Sequence, residues 1–330
     1  MKVKYRFYSD YPNCHYKPCN QKSSKTIEIA QGHLPSHPMT QTSLSPKSYL
    51  ILFVLAVIWG SSFILIKKAL LAFDPMHLAA MRLLVAGTAF VPILAFQWKK
   101  IDWSLWPKFL IVSITGSGLP AFMFFIAQTE ISSSVSGLLN SLTPIWTLLI
   151  GVVLFRLPFE LWKLSGVLLG LVGTVTLITY GNEVGIQGNL WYCGFVIVAT
   201  VCYGISVNVV KAYLQEVPSL VISSVTLVFS ALLSFIYLCT TDVVASLTGT
   251  EAMWYSLWSL IILALASTFF ATILFYRLVK DTNAIFASTI TYLIPIVAFV
   301  WGWWDGEPLT LLHLLGMALI MLGVYVIKKK

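Results

Sequence analysis

From residue 50 onward the chain alternates long apolar runs with short polar links. A helix needs about 20 mostly apolar residues to cross a bilayer core. Read at that length, the sequence predicts ten spans, at 50–71, 76–97, 107–127, 132–155, 161–180, 188–210, 218–239, 257–278, 283–304 and 309–327. Several are interrupted by Gly, Pro or Ser, which bilayer helices tolerate where neighbouring helices satisfy the freed backbone groups. The links hold no soluble domain. The predicted fold class is all-α and integral to a membrane.

Landmarks within the runs recur in the same order. Pro144 and Pro295 each sit early in an apolar run, 151 residues apart. The same offset lays "SGLLNSLTPI" on "ASTITYLIPI", and "FMFFIAQTE" (122–130) on "ILFYRLVKD" (273–281). An offset of 144 lays "WGSSFILIKKAL" (59–70) on "YGISVNVVKAYL" (203–214), pairing Gly60 with Gly204, Ser62 with Ser206 and Lys67 with Lys211. The chain therefore reads as one five-span unit written twice, at 50–180 and 188–327. Five is odd, so the second unit enters the membrane from the opposite side. Many secondary transporters use such an inverted repeat.

Composition supports the membrane reading. Of 330 residues, 58% are hydrophobic and 10% charged, with a mean hydropathy of +0.84. A soluble domain carries about 25% charged residues. The net charge of +8 raises nucleic acid as a partner, but the basic residues lie between apolar runs and form no basic folded face, which excludes it. With the N-terminus in the cytoplasm, all the basic residues but Lys67, Lys68 and Arg82 fall on the cytoplasmic side, including the C-terminal Lys328–Lys330. The outer links carry Asp74, Glu130, Glu183, Asp242, Glu251, Asp305 and Glu307. Both termini are then cytoplasmic, as an even span count requires, and the lipid partner is the plasma (inner) membrane. Residues 1–49 are polar, with no apolar run for a signal peptide. They are expected to be a disordered cytoplasmic tail, with Met39 as an alternative start. Cys14, His15, Cys19, His33 and His37 fit no zinc spacing, so no metal is expected.

Four stretches together resemble the EamA-type transporters of the drug/metabolite transporter superfamily. They are "VIWGSSFILIKKAL", "MHLAAMRLLVAGTAF", "SSSVSGLLNSLTPIWTLLIGVVLF" and "TNAIFASTITYLIPIVAFVWGWWDGEPLT". The resemblance covers about residues 50–327. It implies ten helices, two inverted halves around a central cavity, and movement of small metabolites or toxic compounds, often outward. It implies no particular substrate. The second half departs from the pattern at Tyr203, which replaces the Trp at position 59, and at Thr226, near where a counterpart of Arg82 would fall.

Within this frame the residues that carry chemistry are polar or aromatic groups in the spans. Arg82 is a charge inside a span, placed either to attract an anionic group or to snorkel to the outer interface. Lys67, echoed by Lys211, faces the cavity mouth or snorkels. Asn140 and Asn208 would lie deep in the bilayer, as cavity groups or as helix–helix glue. Trp59, Trp146, Tyr203, Tyr276 and Tyr292 are further cavity candidates. Gly60, Pro144, Gly204 and Pro295 are expected to bend or shape the helices, since a proline frees a carbonyl and kinks a helix. Gly166 and Gly170 form a GxxxG suited to helix packing or to a homodimer contact. No span has Asp or Glu at its middle, and there is no Walker motif. The membrane domain has two histidines, His77 and His313, and no HExxH or GxSxG. No cofactor and no catalytic residue are expected. The reading is a secondary transporter, in the exporting direction, for a small organic solute. A sugar-phosphate or nucleotide-sugar exchanger is the alternative, and a membrane-embedded enzyme the distant one. The driving force stays open between facilitation, exchange and proton antiport.

Overall fold

The computed structural model describes residues 45–131, 133–179, 191–243, 249–304 and 311–328. The tail with its Cys/His group and Met39, the link residues Glu183, Asp305 and Glu307, and the last two lysines lie outside the described residues. Among the described residues every regular element is helical.

Six stretches are long and apolar enough to cross a membrane: Pro46–Ala69, Pro75–Lys100, Trp103–Ala127, Trp191–Tyr213, Ser219–Cys239 and Glu251–Asp281. Four further apolar helices are shorter, Thr143–Phe155, Leu161–Thr176, Ala284–Val297 and Leu314–Ile327. The ten runs of the sequence thus divide into six full-length stretches and four on shorter helices. Residues 46–49, read as tail in the sequence, form the opening turn of the first helix.

The first stretch is α1 (Pro46–Gly60) and α2 (Ser62–Ala69), parted at Ser61. Then come α3 (Pro75–Gln97), α4 (Trp106–Ser113), α5 (Leu119–Ala127), α6 (Ser133–Asn140), α7 (Thr143–Phe155) and α8 (Leu161–Thr179). The second half holds α9 (Trp191–Tyr213), α10 (Ser219–Cys239), α11 (Glu251–Ile262), α12 (Ala271–Asp281), α13 (Ala284–Ser288), α14 (Ile290–Trp304) and α15 (Leu311–Lys328). Local chemistry sets several starts. The Asp74 carboxylate accepts from Met76 N–H at 2.8 Å with Pro75 at the first turn, and the Asn283 side chain accepts from Phe286 N–H at 2.8 Å. Arg156, at φ 52°, ends α7 in the left-handed region.

Two features recur between the halves. A π-helical turn joins α4 to α5 at Ile114–Gly118, and another joins α11 to α12 at Leu263–Phe270. The 151-residue offset lays one on the other. Such turns are rare and concentrate at functional sites. The packing partners also exchange between halves: α1 packs on α14 and α12, while its counterpart α9 packs on α7 and α5. The pairs α3–α10 and α8–α15 join equivalent helices of the two halves. This pattern is what a pseudo-twofold relation between the repeats produces.

The largest apolar cluster gathers Leu52, Leu55, Phe109, Val210, Ile222 and Phe286. It draws on helices of both halves, from α1 and α4 to α9, α10 and α13. Ile66, Phe73, Leu78, Phe125 and Met253 form a second cluster. A cavity borders both, with Val207, Tyr276 and Ile290 of the first and Ile66 of the second on its lining.

Candidate functional site

The cavity encloses about 140 Å³ and is lined from both halves of the chain. One wall is built on the second π turn, which presents Ser267 and Thr268 to the first half. The Trp59 indole N–H donates to the Ser267 carbonyl at 2.9 Å, and Ser62 Oγ donates to Ser267 Oγ at 2.7 Å. Arg82 Nε donates to Thr268 Oγ1 at 2.8 Å. Among the described residues Arg82 has no carboxylate partner; the ion pairs there are Lys163–Glu160 and Arg277–Asp281. Among the described residues no Asp or Glu lines the cavity.

Another part of the lining is built on the first π turn. Gly116 and Ser117 lie against Ser206 of α9, the repeat counterpart of Ser62. A Cβ on Gly116 would come within 2.5 Å of Ser206 Oγ and 2.9 Å of Tyr276 Oη, so a side chain there would displace both hydroxyls. Ser117, Ser206 and Tyr276 all line the cavity here. Thr226 occupies the position equivalent to Arg82, and Ser117 the position equivalent to Thr268. The two parts are therefore matched in backbone and different in chemistry: a guanidinium on one, neutral hydroxyls on the other.

The remaining polar lining comes from two broken helices. Between α6 and α7 the helix breaks at 141–142, and between α13 and α14 at Thr289. The prolines follow these breaks, by two residues at Pro144 and by six at Pro295. Pro144 stands in the opening turn of α7, where its missing N–H costs nothing. Pro295 lies inside α14 and leaves the Thr291 carbonyl without its helical donor. Ser141 Oγ supplies one instead, donating to that carbonyl at 3.2 Å. Four residues before Pro144, the Asn140 carbonyl accepts from Thr143 Oγ1 at 2.7 Å. Asn140, Thr143, Ser288 and Thr291 all reach the cavity.

Of the sequence candidates, Trp59, Arg82, Asn140, Tyr203 and Tyr276 come together on this cavity, and Lys67, Trp146, Asn208 and Tyr292 lie outside its lining. Tyr292 is fully buried, donates from Oη to the Val167 carbonyl at 2.8 Å, and sets its ring against Gly170. Asn208 Nδ2 donates to the carbonyls of Thr147 (2.9 Å) and Gly204 (2.8 Å), joining α9 to α7. The Trp146 indole nitrogen is buried with no partner among the described residues. Lys67 is exposed and unpartnered among the described residues, whereas Lys211 Nζ donates to the carbonyls of Lys280 and Thr282 at the end of α12. Gly60 and Gly204 are close-approach positions: Gly60 meets Val297 of α14, and Gly204 meets the backbone of Trp146 and Thr147 on α7. Gly204 sits within an unbroken helix rather than at a bend. The glycine face of α8 is covered within the same chain by α15, where Gly166 and Gly170 face Gly323.

Gly116, Ser117, Ser267 and Thr268 were not singled out by the sequence reading. Their signal was present as "TGSG" (115–118) over "ASTF" (266–269) at the offset already found. Small and hydroxyl residues alone do not distinguish a π turn from ordinary helix packing.

Comparison with known proteins places this architecture. Residues 46–179 and 190–328 each match the EamA-like transporter family. An uncharacterized transporter of Archaeoglobus fulgidus is 27% identical over 287 residues, covering 86% of this chain and 99% of its own. The S-adenosylmethionine/S-adenosylhomocysteine transporter of Chlamydia muridarum is 24% identical, covering 79% of this chain and 84% of its own. The uncharacterized inner membrane transporter YedA of Escherichia coli K12 is 23% identical over 84% of this chain and 89% of its own. A solved crystal structure superposes with a TM-score of 0.66 at 18% identity, covering 86% of this chain and 96% of its own, and so shares the fold. With two family matches that between them span nearly all of the chain beyond the tail, the protein belongs to the EamA-like transporter family.

Proposed function

We propose that this protein is a secondary transporter that exports a small organic solute across the plasma membrane, by alternating access between its two halves. All ten apolar runs cross the bilayer in this reading, the two five-helix halves are inverted, and both termini are cytoplasmic. The observation that carries it is a polar cavity lined by equivalent positions of both repeats, such as Trp59 with Tyr203 and Ser62 with Ser206. Rocking the halves about such a site exposes it to one side at a time. The positive-inside bias supports the orientation.

A sugar-phosphate or nucleotide-sugar exchanger is the weaker reading, because the cavity lining holds one basic residue, Arg82, where a multiply charged phosphate ester calls for several. The Chlamydia relatives named for S-adenosylmethionine and S-adenosylhomocysteine support a small-metabolite class; at 23–24% identity they do not transfer a substrate.

The test is uptake into proteoliposomes of the purified chain, screened with labelled amino acids, organic acids, amines and nucleotide derivatives, with and without a pH gradient. Saturable uptake of one class, lost on Asn140→Leu, is the expected result. A folded, correctly oriented protein that moves none of them rejects the reading.

A further inference from the structure

We propose that the cavity is an organic-anion site, in which Arg82 takes the carboxylate of a solute whose body is flat and apolar. The proposal rests on the transport reading above and names its substrate class.

An arginine side chain carries five N–H donors in a rigid plane. At Arg82 one of them, Nε–H, is committed to Thr268 Oγ1. Among the described residues the four Nη donors meet no acceptor, and no carboxylate lies in ion-pair range. Thr268 is itself buried on the π turn, so it holds the guanidinium plane and leaves the Nη1–Nη2 edge free. That edge matches the two oxygens of a carboxylate. A cation without a counter-ion inside a membrane domain is costly, and the structure retains one on the cavity wall.

What surrounds Arg82 narrows the class. With no acidic residue on the lining among the described residues, an ammonium group has no counter-charge and would share a small cavity with a guanidinium. Cations are therefore disfavoured outright, and zwitterions relative to simple acids. Among the described residues the rest of the lining is neutral, Tyr276 included, so the cavity carries its charge at Arg82. Two aromatic pairs also line the cavity. Trp59 and Phe275 are 5.2 Å apart between ring centroids, and Phe124 stacks on Tyr203 at 6.2 Å. Rings so placed suit a planar apolar body.

The test is calorimetric titration of the purified full chain in phosphatidylcholine nanodiscs, a neutral lipid that keeps anionic headgroups from competing. The probes are 3-phenylpropionate, its neutral near-isostere 3-phenylpropanamide, and 3-phenylpropylamine. The acid is expected to bind about 10- to 100-fold tighter than the amide, the range of a charge-assisted pair, and the amine not to bind. Arg82→Gln should bring acid and amide within about 2-fold of one another. Arg82→Lys, which keeps the charge and loses the fork, should retain part of the preference. Thr268→Val leaves the cation in place and releases its Nε, and should weaken the acid selectively; melting curves check that each variant is folded. Equal binding of acid and amide by the wild type, an undiminished preference in folded Arg82→Gln, or no saturable acid binding overturns the proposal. Uptake of neutral or cationic solutes in the proteoliposome screen would then leave the transport reading standing without it.

Discussion

The contact between α8 and α15 is close along its length, and Gly323→Ala tests it. A Cβ on Gly323 would lie 2.6 Å from Gly170 N and 2.7 Å from the Gly166 carbonyl oxygen. Those neighbours are backbone atoms, which no rotamer change can move aside. Non-bonded heavy atoms settle at about 3.5–4.0 Å, so the helices must part by roughly 1 Å. A gap of that size forfeits a quarter to a half of each dispersion contact across the seam. The seam is long: a Cβ on Gly173, two turns along, would lie 2.7 Å from Ile320 N and 2.8 Å from the Gly316 oxygen. Overpacking of this kind costs about 1–3 kcal/mol, and the backbone contacts put Gly323→Ala at the upper end, about 2–3 kcal/mol. The control is Gly194→Ala on α9, where a Cβ meets nothing within 4 Å; better helix propensity should leave it neutral or stabilised by up to about 1 kcal/mol. The assay is thermal unfolding of both variants in one detergent, followed by tryptophan fluorescence. Gly323→Ala should melt about 5 °C below the wild type, at roughly 2 °C per kcal/mol. A folded Gly323→Ala that melts with Gly194→Ala would show that the seam yields freely, and would refute the reasoning.

Tyr292→Phe removes the hydrogen bond to Val167 while keeping the ring on Gly170, so it should lower stability by about 1 kcal/mol; transport measurements should show an unchanged KM, and a large rise would mean the hydroxyl meets substrate. Lys211→Met strips donors from the last carbonyls of α12 and should lower the melting temperature measurably, by about 1–2 kcal/mol of stability. Lys67→Met, at the equivalent position, touches no recorded partner among the described residues and should melt with the wild type, so equal losses in the two variants would contradict the asymmetry.

Much of the architecture could be read directly from the chain. Apolar runs of bilayer length predict buried helices because backbone polar groups cannot be left unpaired in lipid, and the order of Pro, Gly and Lys landmarks revealed the repeat. Arg82 stood out because a charge in a span demands a polar destination. Other residues could not be sorted that way. Tyr292 and Tyr276 are both buried aromatics in the second half, yet one hydroxyl ties α14 to α8 and the other faces the cavity. Asn140 and Asn208 differ in the same manner. A polar group in a membrane helix needs a partner, but its sequence neighbourhood does not say whether that partner is a backbone carbonyl or a cavity.

By itself, then, the sequence determined the helical class, the duplication and the presence of a charge in the membrane domain, because each follows from solvation and from order along the chain. Only the tertiary structure decided which faces turn inward. It set the breaks at 141–142 and Thr289 ahead of the prolines, and brought two π turns 151 residues apart onto one cavity. Those outcomes depend on contacts between remote helices, such as Gly323 on Gly166 or Ser141 on Thr291. Such contacts reflect the fit of two surfaces, and no periodicity within a single run encodes it.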